Sequence, residues 1–175
     1  MAETTNSPLF EVRQSPIHGR GVFALRDIPA NTRLIEYTGE RITEDQAAER
    51  YSEGDDTPEP YHTFLFALDN GMVIDAAVDG NEARFINHCC DPNCKSLEED
   101  SRIYIETIKD IAAGTELVYD YRLTRPGGRY RASWKQRFAC HCGAPNCRGT
   151  MFAPGEIKTR TSEDVVKLKK GRKKK

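Results

Sequence analysis

Long apolar runs are missing from this 175-residue chain: no stretch approaches the roughly 18 residues that a membrane-spanning helix needs. Residues Met1 to Pro8 lack both the basic and the apolar parts of a secretory signal. The expectation is therefore neither membrane insertion nor export. Cysteine is absent before Cys89, and the six present form two clusters, Cys89, Cys90, Cys94 and Cys140, Cys142, Cys147. A disulfide framework spreads over a small secreted chain; two tight clusters without an export signal read better as metal ligands. Nucleotide fingerprints are lacking too. His18-Gly19-Arg20-Gly21 leads into a predicted strand and is not the six-residue dinucleotide motif, and there is no Walker lysine.

Net charge is small, −1, but it hides an asymmetry. Residues 157–175 hold nine basic and two acidic side chains, +7; residues 1–156 hold 17 basic and 25 acidic, −8. An acidic body suits a basic peptide and repels bare nucleic acid. The basic segment does the reverse: it reads as solvated tail, able to make non-specific, salt-sensitive phosphate contacts.

The length fits one domain with loose ends. Residues 1–9 are polar. Short strands are expected over Phe10–Ser15, Val22–Leu25, Arg33–Tyr37, Arg102–Ile108 and Thr115–Tyr121. Thr63–Leu68 and Met72–Asp75 flank Asp69-Asn70-Gly71, a strong hairpin signal. One good early helix, Thr43–Ser52, begins at a capping box of Thr43 and Gln46 and ends before the Gly- and Pro-rich stretch 54–60. The sum is a mainly β fold with few short helices. Asp27-Ile-Pro-Ala-Asn-Thr-Arg-Leu-Ile35 is echoed by Asp110-Ile-Ala-Ala-Gly-Thr-Glu-Leu-Val118, which suggests two similar turn-plus-strand units in one domain.

Cys140-His-Cys-Gly-Ala-Pro-Asn-Cys147 places three thiols within eight residues. Zinc takes four tetrahedral ligands, usually Cys or His, so a fourth must come from elsewhere. Cys90 is the choice, with Cys89, Cys94 and His88 as rivals. Asn87-His88, taken alone, would more often satisfy a turn than bind a ligand. Tyr119-Asp120-Tyr121, taken alone, would more often pack than react.

It is the ordered set that points to chemistry: Gly19-Arg-Gly-Val-Phe-Ala24, Ile35-Glu-Tyr-Thr-Gly-Glu40, Arg84-Phe-Ile-Asn-His-Cys-Cys-Asp-Pro-Asn93, Glu116-Leu-Val-Tyr-Asp-Tyr121 and Cys140–Gly149. Together they resemble the SET-domain protein lysine methyltransferases with a post-SET zinc segment, over about residues 10–152. The stand-alone layout resembles compact SET proteins of bacteria and also fits a small eukaryotic one. Charge composition reads 156–175 as a disordered basic tail; the resemblance implies a SET domain over 10–125 and a post-SET zinc segment over 126–155. It implies several small β-sheets, with Arg84–His88 threaded, knot-like, beneath the chain that carries Tyr119–Tyr121.

For function, the resemblance implies methyl transfer from S-adenosylmethionine (SAM) to a lysine of a basic protein, a histone or a histone-like DNA-binding protein. Tyr121 would be the catalytic tyrosine, and Tyr119 would set how many methyls are added. Gly19, Arg20, Gly21, Asn87 and His88 would hold the cofactor. Trp134, Phe138 and His141 would close over its adenine, although Trp134 and Phe138 serve equally well as core. Cys90, Cys140, Cys142 and Cys147 would hold one structural zinc. Two departures stand out: Cys89 replaces a common Ser, and Phe64 replaces a common Tyr, with Tyr61 as a partial substitute. The expected workplace is the cytoplasm of a bacterium or the chromatin of a eukaryote. Two other classes compete: a catalytically silent zinc-containing chromatin-binding module, and a nucleic-acid binder that uses the tail. The intact Asn87, His88 and Tyr121 argue against the former, and the acidic body against the latter.

Overall fold

A computed structural model describes residues 8–51, 64–124 and 134–154, with the side chains of 134 and 135 left out. The expectations for 1–7, Tyr61, the 54–60 break, 125–133 and the basic tail lie outside the described residues.

The chain runs β1 (Phe10–Gln14), β2 (Arg20–Ala24), β3 (Arg33–Tyr37), β4 (Glu40–Thr43), α1 (Glu44–Arg50), β5 (Leu65–Ala67) and β6 (Met72–Asp75). A single 3-10 turn, Glu82–Phe85, follows, then β7 (Asn87–His88), β8 (Cys94–Glu99), β9 (Arg102–Thr107), β10 (Glu116–Tyr119) and α2 (Trp134–Arg137). The larger sheet has the order β1-β2-β10-β8-β9-β3, with β7 also paired to β10; β4-β6-β5 form a second sheet. The core lies between them, on Val22, Tyr37, Ile74, Ile86, Ile105 and Leu117. Among the described residues, no helix is long and apolar enough to cross a membrane.

Several elements follow from local chemistry. Thr43 caps α1, and Gln46 returns its side chain to the Thr43 N–H at 2.9 Å, completing the capping box. In the β5–β6 hairpin, Asn70 Oδ1 accepts the Met72 N–H at 3.0 Å and Gly71 takes the left-handed conformation, φ +78°. The echoed segments meet each other. Ile28 and Ile111 exchange both backbone hydrogen bonds at 2.8 Å. Asp27 Oδ1 accepts the Ala113 N–H at 2.9 Å, and Asp110 Oδ1 accepts the Ala30 N–H at 2.8 Å. Each turn thus caps the other, in a local two-fold arrangement.

Three strands were not expected: β4, β7 and β8. The β8–β9 hairpin turns on Asp100 and Ser101, both with positive φ (50° and 58°). That geometry usually calls for Asn-Gly, so Glu-Glu-Asp-Ser-Arg gave no hairpin signal. β7 is two residues long, and its partners on β10 are 31 positions away, beyond the reach of any local pattern.

Candidate functional site

β7 and β10 run parallel, with Asn87 opposite Val118 and His88 opposite Tyr119. This pairing brings the Asn-His and Tyr-Asp-Tyr motifs together. Asn93 secures it: its Nδ2 donates to the Glu116 carbonyl and its Oδ1 accepts the Val118 N–H, both at 2.8 Å.

The Tyr121 hydroxyl donates to the Ile86 carbonyl at 2.8 Å. Its ring lies 4.8 Å from Tyr119 and 5.3 Å, edge-on, from His88. Phe66 stacks on Tyr119 and also meets Tyr37, so four aromatic rings adjoin. Tyr37 was not singled out from sequence; its hydroxyl donates to the Phe64 carbonyl at 2.9 Å, and the Ile35-Glu-Tyr37 motif was the available signal. Phe64 itself packs edge-on against Phe85. Burial holds Tyr121, Tyr119 and Tyr37 well above the usual phenol pKa. All three therefore remain protonated at neutral pH, so Tyr121 is not poised to remove a proton.

His88 is buried, which lowers its pKa to about 4 against the opposing pull of Asp120. Its Nδ1 accepts the Tyr121 N–H at 3.1 Å. The neutral ring therefore carries its hydrogen on Nε2, which faces the Cys90 sulfur at 3.4 Å.

The glycine loop is fastened from below. Gly19 has φ +48° and open space where a Cβ would stand. Gly21 has the opposite surroundings: a Cβ there would collide with Glu116 Oε1 and come within 2.9 Å of the Ser15 Cβ. The same Oε1 accepts from Ser15 Oγ at 2.7 Å and from Asn87 Nδ2 at 2.8 Å. Asn87 Nδ2 also lies 3.0 Å from the Arg20 carbonyl and 3.2 Å from that of His18. Asn87 thus spends its amide hydrogens on the loop, and Glu116, not singled out from sequence, joins loop and motif. The Arg20 guanidinium stacks on Phe85 at 4.3 Å.

The sulfurs of Cys90, Cys140, Cys142 and Cys147 all lie within 4.8 Å of one another, and those of Cys90 and Cys140 are 3.7 Å apart. A tetrahedron with Zn–S bonds of about 2.3 Å has edges of ~3.8 Å, so the set fits that ion. Burial raises Cys90 and Cys140. For Cys142, burial is outweighed by hydrogen bonds from the Cys90 and Ala144 backbones, which lower it to about 6. The rivals fall elsewhere. Cys94 is a core residue, pushed up to about 12 by burial. Cys89 sits beside the cluster and is raised to about 11, mainly by burial.

Phe138 packs edge-on against the buried Phe152, and His141 is exposed. Trp134 starts α2, with its side chain outside the description. Leu123 hydrogen-bonds with Met151 and Ala153, which lays the end of the cysteine segment beside the strand leaving Tyr121.

Comparison with known proteins agrees with this geometry. Residues 19–122 match the SET domain family. Over 143 residues the chain is 42% identical to the "Histone-lysine N-methyltransferase, H3 lysine-4 specific" of Saccharomyces cerevisiae, covering 78% of this chain and 12% of that protein. It is 40% identical over 140 residues to the protein of the same description in Candida albicans, covering 78% and 13%. The "Histone-lysine N-methyltransferase trithorax" of Drosophila melanogaster is 38% identical over 143 residues, covering 78% and 4%. The chain thus spans only a small part of the curated relatives it matches.

Proposed function

The chain belongs to the SET-domain family, and from that footing we propose that it is a protein lysine N-methyltransferase acting with SAM on a basic protein, a histone first. The observation that carries this reading is the convergence of Tyr119, Tyr121, Asn87, His88 and the 19–21 loop, far apart in sequence, beside a four-cysteine cluster. The relatives' descriptions put histone H3 first among substrates to test. The acidic balance of residues 1–156 supports a Lys- or Arg-rich partner. A histone substrate would make chromatin the workplace. The segment 157–175 would add non-specific phosphate contacts.

SAM would supply an electrophilic methyl on a sulfonium, held by the 19–21 backbone with Asn87 and His88. Phe138 and His141 would stand on its adenine side with Trp134. The lysine must arrive neutral, and its ordinary pKa is ~10.4. A lysine entering beside the adjoining rings of Tyr37, Phe66, Tyr119 and Tyr121 would have its ammonium form disfavoured by desolvation and by the neighbouring sulfonium. Tyr121, fixed by its bond to the Ile86 carbonyl, would align amine and methyl. Cys90, Cys140, Cys142 and Cys147 would hold one zinc. With four protein ligands it has no open position, so its role is structural.

Radiolabelled SAM offered with mixed histones, with basic bacterial proteins and with nucleic acid alone tests the reading. Label in histone lysine is the expected result. Tight DNA binding without methyl transfer would overturn it. Activity should also fall with added salt, since the steering charges are screened.

A further inference from the structure

Arg148 has no part in the reading above, yet it touches both halves of the site. Its backbone N–H donates to the Cys90 sulfur at 3.4 Å. Its guanidinium Nη2 donates at 2.7 Å to Oδ1 of Asp120, the residue between Tyr119 and Tyr121. The two side chains are 24% and 18% exposed, so salt and water screen the pair less than an open surface pair. His88 is the other basic group near Asp120, with Nδ1 3.6 Å away. That nitrogen already accepts the Tyr121 N–H, and the neutral ring brings no charge. Among the described residues, Arg148 is thus the cation that compensates Asp120.

It also borders the thiol cluster. Four thiolates around a divalent ion would carry a net charge of about 2−, and the Arg148 backbone N–H donates to one of those sulfurs, Cys90. Among the described residues, the Arg148 Nε is buried without a hydrogen-bond partner. Such a group costs free energy, so the placement is imposed by the other contacts. Asp120 also accepts the Arg122 N–H at 3.3 Å, and Arg122 has φ +48°. The backbone just after Tyr121 is therefore shaped around the carboxylate that Arg148 holds.

We propose that Arg148 is a positioning residue that couples the metal-bearing segment to Tyr121, through Asp120 on one side and Cys90 on the other. The inference rests on the methyltransferase reading and adds a control to it: turnover depends on whether the cysteine segment is docked onto Tyr119–Tyr121. Displacing that segment would leave the Asp120 carboxylate uncompensated and free to drag the backbone of Tyr121 with it.

The test is a double-mutant cycle on the zinc-loaded full chain, with Arg148→Met, Asp120→Asn and both together. Two quantities are read: the rate of zinc transfer to a colorimetric chelator, and kcat and KM on a histone H3 peptide. Arg148→Met should retain one zinc, release it at least about fivefold faster, and lower kcat about tenfold with peptide KM within about twofold. The double variant should be little worse than either single. Arg148→Lys, which restores the charge without the planar fork, should recover part of kcat. Effects that multiply in the double variant would overturn the coupling, as would wild-type zinc release in Asp120→Asn, a substitution of equal size that keeps the proposal testable should Arg148→Met not fold. A wild-type protein that methylates no lysine would overturn the functional reading instead, while the zinc-release cycle would still decide the coupling.

Discussion

The two halves of the site are held by different means. Asn87, His88 and Tyr119 sit on paired strands, with Asn93 bridging to β10 and Leu117 fully buried behind them. Residues 138–153 have no strand ladder. Beyond their own turns and the internal Phe138–Phe152 contact, they are tied to the chain around the sheets by the two Leu123 bonds, the Arg148–Asp120 pair and the Cys90 sulfur. Where ladder hydrogen bonds are few, metal–thiolate bonds take their place, and metal binding then becomes folding free energy for that segment. The sheet half should therefore survive loss of the metal, and the cysteine half should not.

The largest effect should come from the metal. Cys90→Ser, or a strong chelator, should abolish zinc binding and with it most SAM affinity, while far-UV circular dichroism from the sheets is kept. Cys94→Ser should do the opposite: retain zinc, measured as one metal per chain, and lower stability by about 1–3 kcal/mol through a polar group placed in the core. Reversed outcomes would move the fourth ligand and break the division between the halves.

Next comes Tyr121→Phe, which removes one hydroxyl and its bond to the Ile86 carbonyl but leaves the β7–β10 pairing and the four thiols in place. Turnover should fall on the order of 10²-fold, with zinc content and SAM affinity preserved by calorimetry. Undiminished activity on the true substrate would end the assigned role.

Gly21→Ala probes the sheet half alone. The added methyl would push Glu116 away from Asn87 and Ser15. SAM affinity should drop about tenfold, equivalent to ~1.4 kcal/mol, with the rate of zinc release unchanged. Faster zinc release would show that the halves are less separate than their bonding suggests.

Smaller effects sharpen the picture. Asp27→Ala and Asp110→Ala each remove one reciprocal turn cap and should cost similar amounts, ~1 kcal/mol by denaturant titration. Tyr119→Phe should shift products from mono- and dimethyllysine toward trimethyllysine. If that hydroxyl holds the amine or a water, breaking the bond would cost ~1 kcal/mol, enough to slow a later methyl addition about fivefold. Abundant early trimethyllysine from the wild type, read by mass spectrometry, would show that this hydroxyl does not limit.

Much of the fold was legible where its cause is local. The α1 cap depends on residues three apart, and the β5–β6 hairpin on one Asn-Gly. The alternation of Arg102–Thr107 shows in burial, with Ile103, Ile105 and Thr107 inward. β8 was hidden because Asp100-Ser101 makes a left-handed turn without glycine, and Glu116 because a carboxylate on a predicted strand reads as surface. Spacing alone leaves Cys89 and Cys94 in play beside Cys90, because which thiol meets Cys140, Cys142 and Cys147 depends on a contact about 50 positions away.

Residue order and type alone settled the two thiol clusters and the strands and turns whose cause lies within a few positions, but not β4, β7, β8 or the Asp100-Ser101 turn. The three-dimensional structure decided their meeting: Asn87 with the 18–20 carbonyls and Glu116, His88 between Cys90 and Tyr121, Arg148 on Asp120. Those contacts join residues from 2 to 69 positions apart. They form only when the buried β2, β7 and β10 pack into one sheet, since no local preference can specify which distant strand a polar side chain will reach.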